Sequence, residues 1–206
     1  NAVIYANSAL GARTLKIPDY LDLFVAMTGR APACGSYVES GRRAHRIVVL
    51  EDVSNEIDDL FWPLLGWVLG RLSPDRIPLL YGLESVAVDD DAMKAICAAF
   101  GSTSGAPMLH IAGHTPEADI PPAPYADHQK IDRQTLRNAW KQLNSGGDRV
   151  DLVAIGSPHA SERELFLMNS MLYGRKCNDD VPTIVMVGRD VLDKARQDGL
   201  VQSLEE

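Results

Sequence analysis

The sequence has little cysteine, a deficit of basic residues and no long apolar run. Cys34, Cys97 and Cys177 are the only thiols in 206 residues. They are too few and too widely spaced for a disulfide framework or a zinc pattern. Lys and Arg number 20 against 28 Asp and Glu, a formal net charge of -8. That balance argues against nucleic acid or an anionic membrane surface as partner, although local basic patches could still hold an anionic metabolite. No stretch approaches the roughly 18 consecutive apolar residues of a membrane span. No G-x-G-x-x-G follows any strand candidate, which weakens a dinucleotide-binding reading. Internal repeats and low-complexity tracts are also missing. The chain opens at Asn1-Ala2-Val3 with no charged leader and no Met, directly in what reads as a strand. The expectation is a cytoplasmic protein of which this is a piece. A hydrophobic content of 46% supports a full core without staples.

The most informative stretch is Val150–Leu165. Leu152, Val153, Ala154 and Ile155 form a short apolar run with β-branched members, predicting a strand buried on both faces. Gly156-Ser157-Pro158 breaks it, and Ser161 with Glu164 reads as a capping box opening a helix. A strand, a tight loop and a helix start would deliver Ser157, His159 and Ser161 to a strand's carboxyl end, where open parallel sheets bind ligands. The spacing names no reaction. Ser and His that merely satisfy backbone groups would look the same.

A second polar loop, Asn7–Thr14, follows a short strand candidate at Ala2–Ala6. Asn7, Ser8, Arg13 and Thr14 are donors suited to a carboxylate or phosphate, with Arg13 able to bind bidentately. In the alternative reading Asn7 and Ser8 cap a helix while Arg13 makes an ion pair. Further on, a helix is predicted over Ile17–Thr28, with Leu21, Val25 and Phe24 as its apolar stripe and Gly29 as its stop. Arg42 and Arg43 are anion-binding candidates or simply solvated. Arg46–Leu50 reads as a strand. Ile57–Leu72 has helical spacing, but Pro63 requires either a kink or a second helix start. Trp62 and Trp67 read as core.

From Ile77 the pattern regularises. Strands are predicted at Ile77–Leu83, Met108–Ala112 and Thr183–Val187. Helices follow near Asp90–Phe100, after Asp132, after Ser161 and over Asp190–Asp198. Met93, Ile96, Cys97 and Phe100 fall at i, i+3, i+4 and i+7, which makes Cys97 a core thiol. His114 leaves a strand end and could reach a ligand. Ile120–Tyr125 reads as a surface loop. Repeated strand–helix units imply an α/β fold, a three-layer α/β/α arrangement with a mostly parallel sheet. The segments at Met108, Val150 and Thr183 are expected to adjoin.

Five stretches, in order, carry a family resemblance: YANSALGART at Tyr5–Thr14, TGRAP at Thr28–Pro32, GSYVESGRRA at Gly35–Ala44, HIAGHTPEA at His110–Ala118 and GSPHAS at Gly156–Ser161. Together they resemble the catalytic region of the aconitase X family, dehydratases that act on cis-3-hydroxy-L-proline or on mevalonate 5-phosphate. The resemblance implies an aconitase-like domain and a hydro-lyase acting on a small hydroxy acid. It also implies an iron–sulfur cluster in the full-length protein, a swivel domain, fused or separate, as partner, and flanking cysteine-bearing segments, so that residues 1–206 are the central part of the catalytic region. Asn7, Ser8, Arg13, Thr14, Ser157, His159 and Ser161 become the expected substrate contacts, converging on one cleft. The catalytic base is expected on the swivel domain. No metal ligand is expected among the three cysteines. The sequence departs from the family pattern at Tyr37, where His is usual, and at Gly41, where Asn is usual. Ser157 stands where many archaeal relatives carry Cys, which leans toward the hydroxyproline branch. The competing expectation is an aconitase-like module that docks or supports without catalysing.

Overall fold

The computed structural model describes residues 2–51 and 57–205 and divides into two compact units, Asn1–Asn144 and Ser145–Glu206. Each is described by itself.

The first unit is built on four parallel strands, β1 (Arg46–Leu50), β2 (Pro78–Tyr81), β3 (His110–Ile111) and β4 (Asp127–Ile131), in the order β3-β2-β1-β4. Alternation along each strand sorts side chains between the two faces. Val48, Leu50, Leu80, Ile111 and Ile131 enter the main core. There they meet helices α1 (Ala2–Ser8), α3 (Phe61–Leu72), α4 (Asp90–Thr103) and α5 (Arg133–Leu143), through residues such as Ile4, Leu65, Leu69, Ile96, Phe100 and Ala139. On the opposite face Leu79 is buried under Ala44 and Ala118, which lie in irregular segments. Val49 and Tyr81 remain 39% exposed.

Several local expectations are met for the expected reasons. Helix α2 (Asp19–Thr28) ends where Gly29 adopts φ 64° and returns its amide to the Val25 carbonyl. Asp132 caps α5 by accepting from the Thr135 amide at 2.7 Å. The proline problem in α3 resolves simply. The helix starts at Phe61, not Ile57, so Pro63 falls in its first turn, where the missing N–H costs nothing. Trp62 is buried, and Trp67 is half-buried beneath the Arg71 guanidinium. Cys97 lies in the core with Met93, Ile96 and Phe100, and burial pushes its thiol pKa up to about 12. Helices α3 and α4 pack closely at Gly66, where an added Cβ would lie 2.3 Å from the Ile96 carbonyl oxygen.

Other expectations are corrected. Ala2–Ala6 is helical, not a strand, because a run this short fits either period and Ile4 packs toward α4. Phe24 is 56% exposed, as are Tyr20, Leu23 and Met27 to a similar or greater degree, while Leu21 and Val25 are half-buried. Strand β4 was masked in the sequence by its polarity: Asp127, His128, Gln129 and Lys130 sit on a sheet edge, where charge is tolerated and guards against edge-to-edge pairing.

The second unit pairs β5 (Val153–Ala160) in parallel with β6 (Thr183–Val187). Helices α6 (Glu162–Leu172), α7 (Arg189–Gln197) and α8 (Leu200–Glu205) supply Leu165, Ala195 and Leu200 to a small core with Ala160, Val185 and Val187. The α/β class with parallel strands holds. The adjacency expected of Met108, Val150 and Thr183 holds only for the last two, since β3 lies beside β2 in the other sheet. Nor is β5 buried on both faces, for Ala154 is exposed and Ile155 is 38% exposed.

Candidate functional site

The Asn7–Thr14 segment leaves the C-terminal end of a helix. Gly11 takes φ 64°, and the Ala12 amide returns to the Ala6 carbonyl at 2.9 Å. Asn7 is fully buried. Its Nδ2 donates to the Thr14 and Pro107 carbonyls at 2.8 and 3.0 Å, and its Oδ1 accepts from the Thr14 amide at 2.9 Å. Ser8 is equally buried, with Oγ accepting from the Leu109 amide at 3.0 Å. These two expected substrate contacts are both bonded within the protein. Their polar groups are committed to shaping the loop, because buried donors and acceptors require partners. Thr14 is half-buried, with its backbone held by Asn7 and its carbonyl also accepting from the Ser36 hydroxyl.

Arg13 differs from its neighbours, since its side chain is 41% exposed. Nη1 donates to the Tyr37 carbonyl at 3.3 Å, and Nη2 lies 3.9 Å from Oε1 of Glu117. Behind Glu117 stands Arg42, with no exposed side-chain surface. Its Nε donates to Glu117 Oε2 at 2.6 Å, and Nη2 bonds the same oxygen. Nη1 reaches the Ser36 carbonyl at 3.0 Å, and Nη2 also reaches the Asn7 carbonyl at 3.1 Å. Arg42 is therefore no anion site. It is a buried strut tying the Asn7 segment, the Ser36 turn and Glu117 together. His110 joins from β3 by donating Nε2–H to the Arg42 carbonyl at 2.7 Å, while its buried Nδ1 has no hydrogen-bond partner among the described residues. Burial holds the His110 pKa below the ordinary value of 6.5.

Glu117 and its role are the residue that sequence reasoning missed. It lies on the turn after β3, which Thr115 tightens by accepting from the Ile111 amide at 2.9 Å. The only advance signal was its place in the HIAGHTPEA stretch. His114, expected to reach a ligand, instead donates Nε2–H to the Leu83 carbonyl at 2.8 Å. With two guanidinium groups around one carboxylate, the triad carries a net charge of about +1 by formal count. The surplus lies outward on Arg13, because Arg42 is neutralised inside.

In the second unit the expected Gly156–Ser161 loop is largely extended. Strand β5 runs through to Ala160, with a register irregularity against β6 after Ile155 and a cis Ser157–Pro158 bond. Gly156 sits at φ 101°, and a Cβ there would fall 2.3 Å from the Met186 carbonyl oxygen, so only glycine fits. Ser157 and His159 are exposed. Ser161 forms the expected capping box: its hydroxyl accepts from the Glu164 amide at 3.1 Å, and the Glu164 carboxylate accepts from the Ser161 amide at 2.7 Å. Two acidic residues, Glu162 and Glu164, occupy that first turn. These two carboxylates make the helix start negative, unsuited to an anion. Arg13, Thr14, Ser157 and His159 keep surface for binding; the first two belong to one unit and the last two to the other.

Three family models match in succession: the aconitase X first domain over residues 1–40, the second domain over 44–141 and the third domain over 150–206. The chain belongs to the aconitase X family. Within it, the chain is 38% identical over its whole length to a cis-3-hydroxy-L-proline dehydratase of Pseudomonas aeruginosa, covering 36% of that protein. It is 41% identical over 99% of its length to a cis-3-hydroxy-L-proline dehydratase of Hypocrea jecorina, again covering 36%. A phosphomevalonate dehydratase large subunit of Methanocaldococcus jannaschii is 27% identical over 88% of the chain, which covers 46% of it. The chain thus spans about a third of the length of the hydroxyproline dehydratases it matches. Its fold superposes on the crystal structure of Thermococcus kodakaraensis aconitase X (holo-form) with a TM-score of 0.85, at 26% identity, over 99% of this chain and 52% of that one. In aconitase X terms Arg13 lies in the first-domain match and Glu117 in the second, with Arg42 just ahead of the latter.

The iron–sulfur cluster implied by the family resemblance finds no fit in the residues described. Cys97 is buried in an apolar core with its pKa raised, whereas ligation requires thiolate. Cys34 and Cys177 are exposed and lie in different units. Among the described residues no three His, Cys, Asp or Glu side chains gather as a metal would require. Among them, too, no helix is long and apolar enough to cross a membrane.

Proposed function

We propose that the protein carrying this chain is a hydro-lyase that removes water from cis-3-hydroxy-L-proline, and that Arg13 binds the substrate carboxylate. Eliminating water across C2 and C3 breaks the C2–H and C3–OH bonds and requires a base, a holder for charge developing beside the carboxylate and help for the departing hydroxide. The single observation that carries the residue assignment is the contrast within one loop. Asn7 and Ser8 are consumed internally, whereas the Arg13 guanidinium stands half exposed on a backbone fixed from both sides. A rigid loop presenting a planar fork of donors suits a carboxylate. The choice of hydroxyproline over a phosphorylated hydroxy acid is supported by identities of 38% and 41% to hydroxyproline dehydratases, against 27% to the Methanocaldococcus jannaschii phosphomevalonate dehydratase large subunit.

The test is turnover of cis-3-hydroxy-L-proline by the full-length protein, followed by NMR, beside phosphomevalonate as the competing substrate. Loss of the C3 hydroxyl from the proline ring only is the expected result. Arg13→Lys should lower kcat/KM by ~30-fold, since an ammonium cannot reproduce the bidentate fork and a charged hydrogen bond contributes about 2 kcal/mol. Unchanged kinetics with a lowered melting temperature would make Arg13 a structural residue and defeat the assignment.

A further inference from the structure

Resting on the hydroxyproline reading above, we infer that Glu117 is a second substrate contact, whose Oε1 receives the substrate's ring ammonium while Arg13 holds its carboxylate. The two oxygens of Glu117 are used unequally. Arg42 directs both of its bonds to Oε2. Oε1 accepts no hydrogen bond from the described residues and is open to solvent, Glu117 keeping 18% of its side chain exposed. It faces Arg13 Nη2 at 3.9 Å, too far for a hydrogen bond. Two opposite charges are therefore held near each other without closing, and each is restrained elsewhere, Glu117 by buried Arg42 and Arg13 by the Tyr37 carbonyl.

An α-amino acid presents the complementary pair, with carboxylate and ammonium attached to one carbon. A secondary ammonium such as that of a proline ring has two N–H donors, one of which can point at Oε1. A bare carboxylate bound at Arg13 would instead meet the negative Glu117 oxygen at close range, a like-charge contact that the zwitterion replaces with attraction. Arg42 makes the arrangement possible, because it anchors Oε2 from the protein side and so keeps Glu117 from swinging onto Arg13. The geometry selects a zwitterionic amino acid over an acid without nitrogen.

The experiment compares two competitive inhibitors of the full-length enzyme, L-proline and cyclopentanecarboxylate, which share ring size and carboxylate and differ in the nitrogen. Glu117→Gln should weaken L-proline by ~10-fold, the loss of one charged hydrogen bond, and tighten cyclopentanecarboxylate, whose like-charge contact it removes. Arg13→Lys should weaken both. If Glu117→Gln does not fold, Glu117→Asp keeps the counter-charge for Arg42 while withdrawing the carboxylate, and the same selective loss is expected. Equal weakening of both inhibitors, no weakening of either, or equal affinity of both for the unsubstituted enzyme would overturn the role of Glu117. An enzyme that turns over phosphomevalonate and ignores both ring acids would overturn the hydroxyproline reading itself.

Discussion

Removing the Glu117 carboxylate should unfold the first unit far more readily than removing its exposed partner. In Glu117→Ala, Arg42 is left with no exposed side-chain surface and no counter-ion. Losing one member of a buried pair costs ~3–5 kcal/mol, because the survivor's desolvation is no longer offset. Arg42 would keep its bonds to the Ser36 and Asn7 carbonyls, and Glu117 is 18% exposed, so water can enter the space left behind. The lower end, ~3 kcal/mol, is therefore expected. At roughly 2–4 °C per kcal/mol for a chain of this size, the melting temperature should fall by ~6–12 °C. Arg13→Ala, at a half-exposed pair of 3.9 Å, should stay within about 0.5 kcal/mol. Calorimetry and urea titration of the two variants measure the difference directly. A double variant, Arg42→Met with Glu117→Leu, should recover only part of the loss, since the apolar pair removes both charges together but takes the Arg42 bonds from the Ser36 and Asn7 carbonyls. The reasoning is refuted if Glu117→Ala costs under about 1 kcal/mol, or if Arg13→Ala costs more than Glu117→Ala.

Three further outcomes are expected. Gly66→Ala should destabilise by ~1–2 kcal/mol despite alanine's helix preference, because its Cβ would meet Ile96 backbone at 2.3 Å, whereas Gly146→Ala, with open space around it, should be nearly neutral; urea midpoints decide it. Thiol titration of the folded protein should label Cys34 and Cys177 promptly and Cys97 only in denaturant, as its buried thiol has a pKa near 12; prompt labelling of all three would contradict its burial. His110, held below 6.5 by burial, stays neutral in the folded state while the unfolded chain takes up a proton, so stability should fall as pH drops through 6.5 toward the folded pKa; that slope should be reduced in His110→Gln when urea midpoints at pH 7.5 and 5.5 are compared.

Much of the fold was legible because its signals are local. Capping by Ser161 and Asp132, the stop at Gly29, the buried face of α4 and the strands Arg46–Leu50 and Thr183–Val187 depend on spacings of a few residues. The errors occurred where locality fails. Ala2–Ala6 is too short to distinguish a helix period from a strand period, and its contact with α4 decided the matter. Asp127–Ile131 becomes a strand only because β1 lies alongside it, from Arg46↔Asp127 to Leu50↔Ile131. The division into two sheets follows from which strands pair, and a chain of alternating strands and helices does not carry that information in its local pattern.

The candidate site fails and succeeds on the same principle. Residue type correctly marked the Asn7–Thr14 segment as polar and donor-rich, but type does not say which donors are already spent. Asn7 and Ser8 are spent on Thr14, Pro107 and Leu109, the latter two about a hundred positions away. Arg42 and Glu117 lie 75 positions apart, and nothing in either local sequence announces their pairing. Burial then separates the two arginines: Arg42, a candidate for holding an anion, is neutralised inside, and Arg13, read as a carboxylate-binding donor with an ion pair as the alternative, keeps its charge at the surface. Binding requires a charge that the fold has left partly unsatisfied, so the arginine proposed to bind is the one whose internal pair stays open.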